Sequence, residues 1–206
     1  MRRDPGVSET VLGQLTQGLA RLQAPTSPVD AAVLMALTRE EQPRLLLTRR
    51  SQRLSAHAGE VAFPGGKCDP GDASVVATAL RESAEEVGLA ADKIDILGQF
   101  GDFVSRAGLR VRAVVGSIPA EVRLAPNPDE IESIFYVPLA FFLDQPPRQD
   151  HRVHFMGHDY LMPCYRYQDY VIWGLTAYML VELLNQSLSA GIDFPMPGLH
   201  RVGAGS

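Results

Sequence analysis

The run Arg81-Glu82-Ser83-Ala84-Glu85-Glu86-Val87-Gly88 constrains this chain more than any other part of it. Glu82, Glu85 and Glu86 stand at i, i+3 and i+4, so a helix projects all three carboxylates from one face. Like charges at that spacing destabilise an isolated helix by roughly 0.2–0.5 kcal/mol per pair. A face that carries three of them calls for a counter-charge. A hard divalent cation that accepts carboxylate oxygens, Mg²⁺ or Mn²⁺, supplies it economically.

The flanking residues predict a loop feeding that helix. Gly65 and Gly66 permit close backbone approaches, and Asp69-Pro70-Gly71 is turn chemistry. Asp72 is a suitable N-cap for a helix starting near Ala73. Val76, Ala79, Leu80, Ala84 and Val87 form an apolar stripe at helical spacing. Gly88 stands where a left-handed residue would end the helix.

Elsewhere the chain reads as alternating short apolar runs and turns. Ser8 to Gln23 is an amphipathic helix with Ser8 as its cap. Ala31 to Leu37, Arg44 to Thr48, Ile94 to Val104, Leu109 to Ile118 and Ile134 to Val137 read as strands. In the fourth of these, Leu109, Val111, Ala113 and Val115 alternate with Arg110, Arg112 and Val114, as in a partly exposed strand. His151 to Phe155 and Asp159 to Met162 form a hairpin around Gly157, and Asp169 to Gln186 is the longest helical pattern. Trp173, Tyr178 and Leu183 belong to its core face. No repeat and no domain boundary is visible, so residues 1–206 are expected to form one domain. The order implies an α+β fold in which a mixed sheet is flanked by helices.

Composition narrows the function class. A net charge of −5 argues against nucleic-acid binding, which requires clustered cations. Cys68 and Cys164 give no disulfide framework and suit a reducing compartment. No signal peptide or peroxisomal address is expected, and Tyr170 to Leu184 is too short and too interrupted to span a bilayer. A cytoplasmic enzyme follows. His151, His154 and His158 are spaced too loosely for zinc, and Ser8, Ser51 and Ser55 lack the context of a nucleophilic serine.

The glutamate segment resembles the Nudix box, which ends in R-E-U-x-E-E-x-G-U with U an aliphatic residue. Arg81, Glu82, Glu85, Glu86, Gly88 and Leu89 match it. Asp72 stands where the box has its first Glu, one residue further from Arg81 than in the pattern, and Ser83 occupies the first aliphatic position. Just upstream, Leu46, Leu47, Thr48, Arg50, Ser51, Gly59, Phe63, Pro64, Gly65 and Gly66 are similar to the coenzyme A motif of one Nudix branch. Ser55 stands where that motif has a second Arg, and Arg53 offers a cation nearby.

The resemblance implies a Nudix α/β/α sandwich, with the box at residues 66–89 and the N-terminal helix as an extension. It implies metal-dependent hydrolysis of a diphosphate, coenzyme A or an acyl-coenzyme A being the expected substrate. ADP-ribose, a dinucleotide or a nucleoside triphosphate is the alternative, and a non-catalytic nucleotide-sensing module the remaining one. Glu82 and Glu86 are the expected principal metal ligands, with Glu85 and the Gly66 carbonyl as further ones. Arg81 is expected to orient Glu82 or Glu85. Glu85 and Glu130 are both candidates for the general base. Arg44, Arg49, Arg50, Arg53 and Lys67 gather cations beside the carboxylate helix. Arg50 and Arg53 are the expected phosphate contacts, with His57, Gly59 and Lys67 completing the substrate-binding set.

Overall fold

The computed structural model describes residues 10–155 and 158–193, of which 149–155 and 158–160 are described by backbone alone. The chain runs α1 (Val11–Arg21), β1 (Ala31–Arg39), β2 (Arg44–Arg50), β3 (Val61–Ala62), β4 (Gly65–Lys67) and α2 (Val75–Val87). It continues through β5 (Asp95–Val104), β6 (Arg110–Pro119), β7 (Ile131–Pro138), α3 (Leu139–Asp144), β8 (Arg148–Phe155), β9 (His158–Tyr167), β10 (Tyr170–Trp173) and α4 (Gly174–Leu188).

A seven-stranded sheet follows the order β3-β2-β1-β6-β5, with β4 pairing with β1 and β7 with β2. β1 and β6 run parallel in unbroken register from Ala31↔Val111 to Arg39↔Pro119, while the other pairings are antiparallel. Successive side chains of a strand point to opposite faces. Ala32, Leu34 and Ala36 of β1, with Leu46 and Val114, meet Ala79 and Val87 of α2. Met35 and Leu37, with Ala113 and Val115, join the cluster of Leu15 and Leu19 from α1 and Leu180 and Leu184 from α4. The predicted α/β/α sandwich with a mixed sheet is the observed architecture. A second, three-stranded sheet, β10-β9-β8, lies beside it.

Several local expectations are corrected. Ser8 lies outside the described residues, and the cap of α1 is Thr10, whose Oγ1 accepts from the Gly13 N–H at 3.2 Å. α2 begins at Val75 rather than near Ala73, capped by Ser74, which accepts from the Ala77 N–H at 3.1 Å. Asp72 is engaged instead by the Asp69 N–H, Thr78 and Arg81. The inner face of α2 is also rotated from the expected stripe. Ala84 is exposed and Ser83 buried, its hydroxyl donating to the Ala79 carbonyl at 2.6 Å. Ser83 thus fills an aliphatic position by bonding back onto its own helix.

β6 is buried on both faces rather than one, because β1 and β5 flank it and helices cover the sheet. Arg112 is therefore interior, donating to Asp102 from Nε at 3.0 Å and to the Ser27 carbonyl at 2.8 Å. Of the long C-terminal helical pattern, residues Tyr170–Trp173 are a strand paired with β9, and the helix starts at Gly174, where φ is +63°. The β8–β9 hairpin is as expected, its turn at Gly157 lying outside the described residues. No helix among the described residues is long and apolar enough to cross a membrane.

Candidate active site

Arg81 organises the carboxylate face of α2. Its Nη1 donates to Glu82 Oε1 at 2.8 Å and to Glu85 Oε2 at 3.1 Å. Nε and Nη2 grip the two oxygens of Asp72 at 3.1 and 3.0 Å, and Nη2 also donates to the Lys67 carbonyl at 2.9 Å. The guanidinium fork therefore joins β4, the turn after it and the helix. The predicted orienting role of Arg81 has its geometry here, toward both glutamates. Its anchor is Asp72, whose carboxyl is held well below the usual range by the Arg81 hydrogen bonds and the Asp69 N–H. Asp72 was expected to cap the helix; its alignment with the box's first acidic position was the signal for this other role.

Glu86 is the most enclosed of the carboxylates, with 3% of its side chain exposed. Its Oε2 accepts from the Gly65 N–H at 3.0 Å, and its Oε1 from Arg50 Nη1 at 3.3 Å. Burial pushes its pKa up to about 7; the Gly65 N–H and Arg50 oppose the shift, while Glu130 and Glu82 add to it. Gly66 was expected in an irregular loop, but β4 pairs with β1 and sets it in register with Ala32. A Cβ on Gly66 would come within 2.5–2.6 Å of the Glu82 carboxyl atoms, so only glycine lets that carboxylate rest against the strand.

The loop before β7 completes this side. Asn127 and Ala125 donate their N–H groups to the carbonyls of Glu86 and Val87 at 2.8 and 2.9 Å, and the Ser51 N–H donates to the Glu130 carbonyl at 2.7 Å. Glu130 is thereby fixed beside the Arg50 end of β2. The structure thus brings Glu82, Glu85, Glu86, Glu130, Arg50, Arg81 and Gly66 to one site.

Among the described residues, no three His, Cys, Asp or Glu side chains converge tightly enough to chelate an ion in this arrangement. Glu82 and Glu85 are drawn to Arg81, and Glu86 to Gly65 and Arg50. The donor chemistry nonetheless fits a hard divalent cation: the donors are carboxylate oxygens, one is buried with its charge disfavoured, and Gly66 leaves the Glu82 carboxylate room.

The expected cation cluster is only partly assembled. Strand alternation puts Arg49 on the face opposite Arg50, where it bonds Glu132 and the Asp169 carbonyl and lies over the Tyr170 ring. Arg44 shares the face of Arg50 but lies about 20 Å along the strand, bonded to Glu40 and the Ala120 carbonyl. Arg53 and His57 are exposed on the loop between β2 and β3, and His57 Nδ1 lies 2.8 Å from Glu60 Oε2. Gly59, at φ +71°, donates to the Arg50 carbonyl at 3.1 Å and closes the loop. Lys67 is exposed on β4.

Sequence reasoning missed a cavity of about 280 Å³ that Arg50 lines at the edge of the carboxylate site. Val61, Phe103, Met162, Leu175 and Tyr178 contribute apolar walls. These residues come from four separate segments of the chain, β3, β5, β9 and α4, and no local pattern connects them. Trp173 and Tyr178, assigned to the core, also line it.

Comparison with known proteins agrees with this geometry. The NUDIX domain pattern matches residues 28–156. The chain is 44% identical over 165 residues to the Nudix hydrolase NudL of Photorhabdus laumondii, covering 76% of this chain and 83% of that one. Against NudL of Klebsiella pneumoniae the identity is 40% over 157 residues, covering 76% and 82%. Among solved structures, a MutT/nudix family protein from Enterococcus faecalis shares the fold, with a TM-score of 0.50 over 87% of this chain and 70% of that chain at 17% identity. With its box helix, its Arg81 hub and these relatives, the chain belongs to the Nudix family and is a hydrolase of diphosphate linkages.

Proposed function

We propose that this enzyme hydrolyses the diphosphate of coenzyme A or its thioesters, with Mg²⁺ or Mn²⁺, to 3′,5′-ADP and 4′-phosphopantetheine or its acyl form. The observation that carries the proposal is the placement of Arg50, from the coenzyme A-like motif, against Glu86 of the box at 3.3 Å. The motif's loop, with Arg53, His57 and Gly59, thus opens directly beside the carboxylate face. Coenzyme A carries a 3′-phosphate apart from its diphosphate, so the carboxylate site and the basic loop have different phosphates to hold.

Glu82, Glu86 and Glu85, with the Gly66 carbonyl, would hold the cation, which when bound neutralises diphosphate oxygens and lowers the pKa of water. Arg81 fixes the orientation of Glu82 and Glu85. Water oxygen forms the new bond to phosphorus as the bridging P–O bond breaks, and the water proton passes to Glu85 or Glu130, the two candidate bases. Arg50 and Arg53, with Lys67 beside the face, hold the remaining phosphates.

Product chromatography tests the reading, using coenzyme A, 3′-dephospho-coenzyme A and ADP-ribose in parallel. A charge-assisted contact to the 3′-phosphate is worth roughly 1–3 kcal/mol, so coenzyme A should be cleaved about ten- to a hundredfold more efficiently than its dephospho form. Equal efficiencies on all three would make the enzyme a general nucleotide diphosphatase.

A further inference from the structure

Beyond Arg50 and His57 the cavity beside the carboxylate site is walled largely by apolar side chains. Val61 and Ala62 of β3, Phe103 and Val104 of β5, Met162 of β9 and Leu175 of α4 give it apolar walls. The polar side chains around it are largely engaged within the protein. Thr176 donates to the Val61 carbonyl at 3.0 Å, His57 is paired with Glu60, and Asp102 is held by Arg112 and Ser27. An entering group therefore meets mainly apolar contact, with Arg50 and Arg106 as cations in the lining.

Arg50 fixes where the cavity stands relative to the reaction, because it lines the cavity while its guanidinium touches Glu86. A substrate whose diphosphate lies on the carboxylate face has one end within reach of the opening. At about 280 Å³ the cavity falls at the small end of ligand sites, which run roughly 300–1,000 Å³. It is too small and too apolar for an adenosine phosphate. Its largely apolar walls also suit the two amides of pantetheine poorly, since their burial without hydrogen bonds is costly. The acyl group of a thioester is the remaining part of the substrate, and its chemistry matches the walls.

We propose that this cavity is an acyl-binding pocket, making apolar acyl-coenzyme A thioesters the preferred substrates over free coenzyme A. The proposal rests on the coenzyme A reading above. It gives the apolar surface of Phe103, Met162 and Leu175 a ligand.

The experiment compares catalytic efficiency on coenzyme A, acetyl- and hexanoyl-coenzyme A with the full chain in Mg²⁺ buffer. Each buried methylene is worth about fourfold, so hexanoyl-coenzyme A should exceed free coenzyme A at least tenfold. Leu175→Phe and, separately, Val104→Phe fill the cavity and should bring the hexanoyl-to-free ratio close to one in variants that melt as the parent does. A second readout needs no turnover. Trp173 is the chain's single tryptophan and lines the cavity, so hexanoyl-coenzyme A should shift its emission in EDTA where free coenzyme A does not. Efficiencies flat across the acyl series, with no shift in emission, overturn the acyl pocket and leave the coenzyme A reading standing. Cleavage of ADP-ribose with none of any coenzyme A compound overturns both.

Discussion

Glu86 carries a charge in a place that disfavours it, buried between α2 and β4 with an N–H group and one arginine for company. Glu86→Gln removes that charge and keeps the shape, so the metal-free protein should be as stable as the parent or more so in urea titration. Turnover should fall by a hundredfold or more in both Glu86→Gln and Glu82→Gln, about 3 kcal/mol in the barrier. Near-parental rates at saturating Mg²⁺ would refute the ligand assignment. Arg112 poses the opposite case, a buried cation satisfied by Asp102 and the Ser27 carbonyl. Burial alone would raise the Asp102 carboxyl, but the hydrogen bonds from Ser27 and Arg112 outweigh it and hold the group below its ordinary value. Stability from a depressed carboxyl is present above the unfolded pKa, about 3.9, and is lost as pH falls through the folded one. Arg112→Met should cost roughly 3 kcal/mol at neutral pH and flatten the loss of stability below about pH 4, measured by thermal melts across that range.

Elements meet in this fold where a side chain is missing. At Gly66 the strand β4 passes so close to α2 that a Cβ would displace the Glu82 carboxylate. That carboxylate is the far end of a flexible side chain, so Gly66→Ala should fold and melt within about 1 kcal/mol of the parent. Misplacing a ligand by an ångström should lower the rate by up to about a hundredfold. A rate loss with equal loss of stability would mean that Gly66 serves the sheet rather than the site. At Gly18 the neighbour is backbone, for a Cβ would stand 2.0 Å from the Ser187 carbonyl oxygen. Backbone does not yield as a side chain does, and Gly18→Ala should force α1 away from α4 at a cost of roughly 1–3 kcal/mol in chemical denaturation.

At the scale of the whole molecule, the proposed cation site on α2 couples ion binding to stability. Any ion bound by the folded state alone stabilises it by mass action, about 2.7 kcal/mol at a hundred times its dissociation constant. Mg²⁺ should therefore raise the melting temperature of the parent, and the double substitution of Glu82 and Glu86 by Gln should abolish the rise. An unchanged rise would place the ion elsewhere. The cavity near Arg50 belongs to this scale too, since the large sheet, the small sheet and α4 must all be in place before it exists.

The sequence by itself determined the elements whose signals are local. The glutamate spacing defined the carboxylate face of α2, Gly88 at φ +67° ended it, and uninterrupted apolar runs marked β1 and β2 as strands. Periodicity and capping act over a turn or a strand, so they can be read from a few neighbouring residues. Only the tertiary structure decided which arginines reach the carboxylates. Arg44, Arg49 and Arg50 look alike in a string, yet face and position along β2 send one to Glu86 and two elsewhere. It also decided that Arg112 is interior, because β5 and β1 close around β6 from distant parts of the chain. Tyr170–Trp173 became strand for the same reason, its edge bonds to β9 overriding a helical pattern. Contacts between remote segments outweigh local preference wherever a backbone edge or a buried charge must be satisfied, and no short stretch of sequence contains both partners.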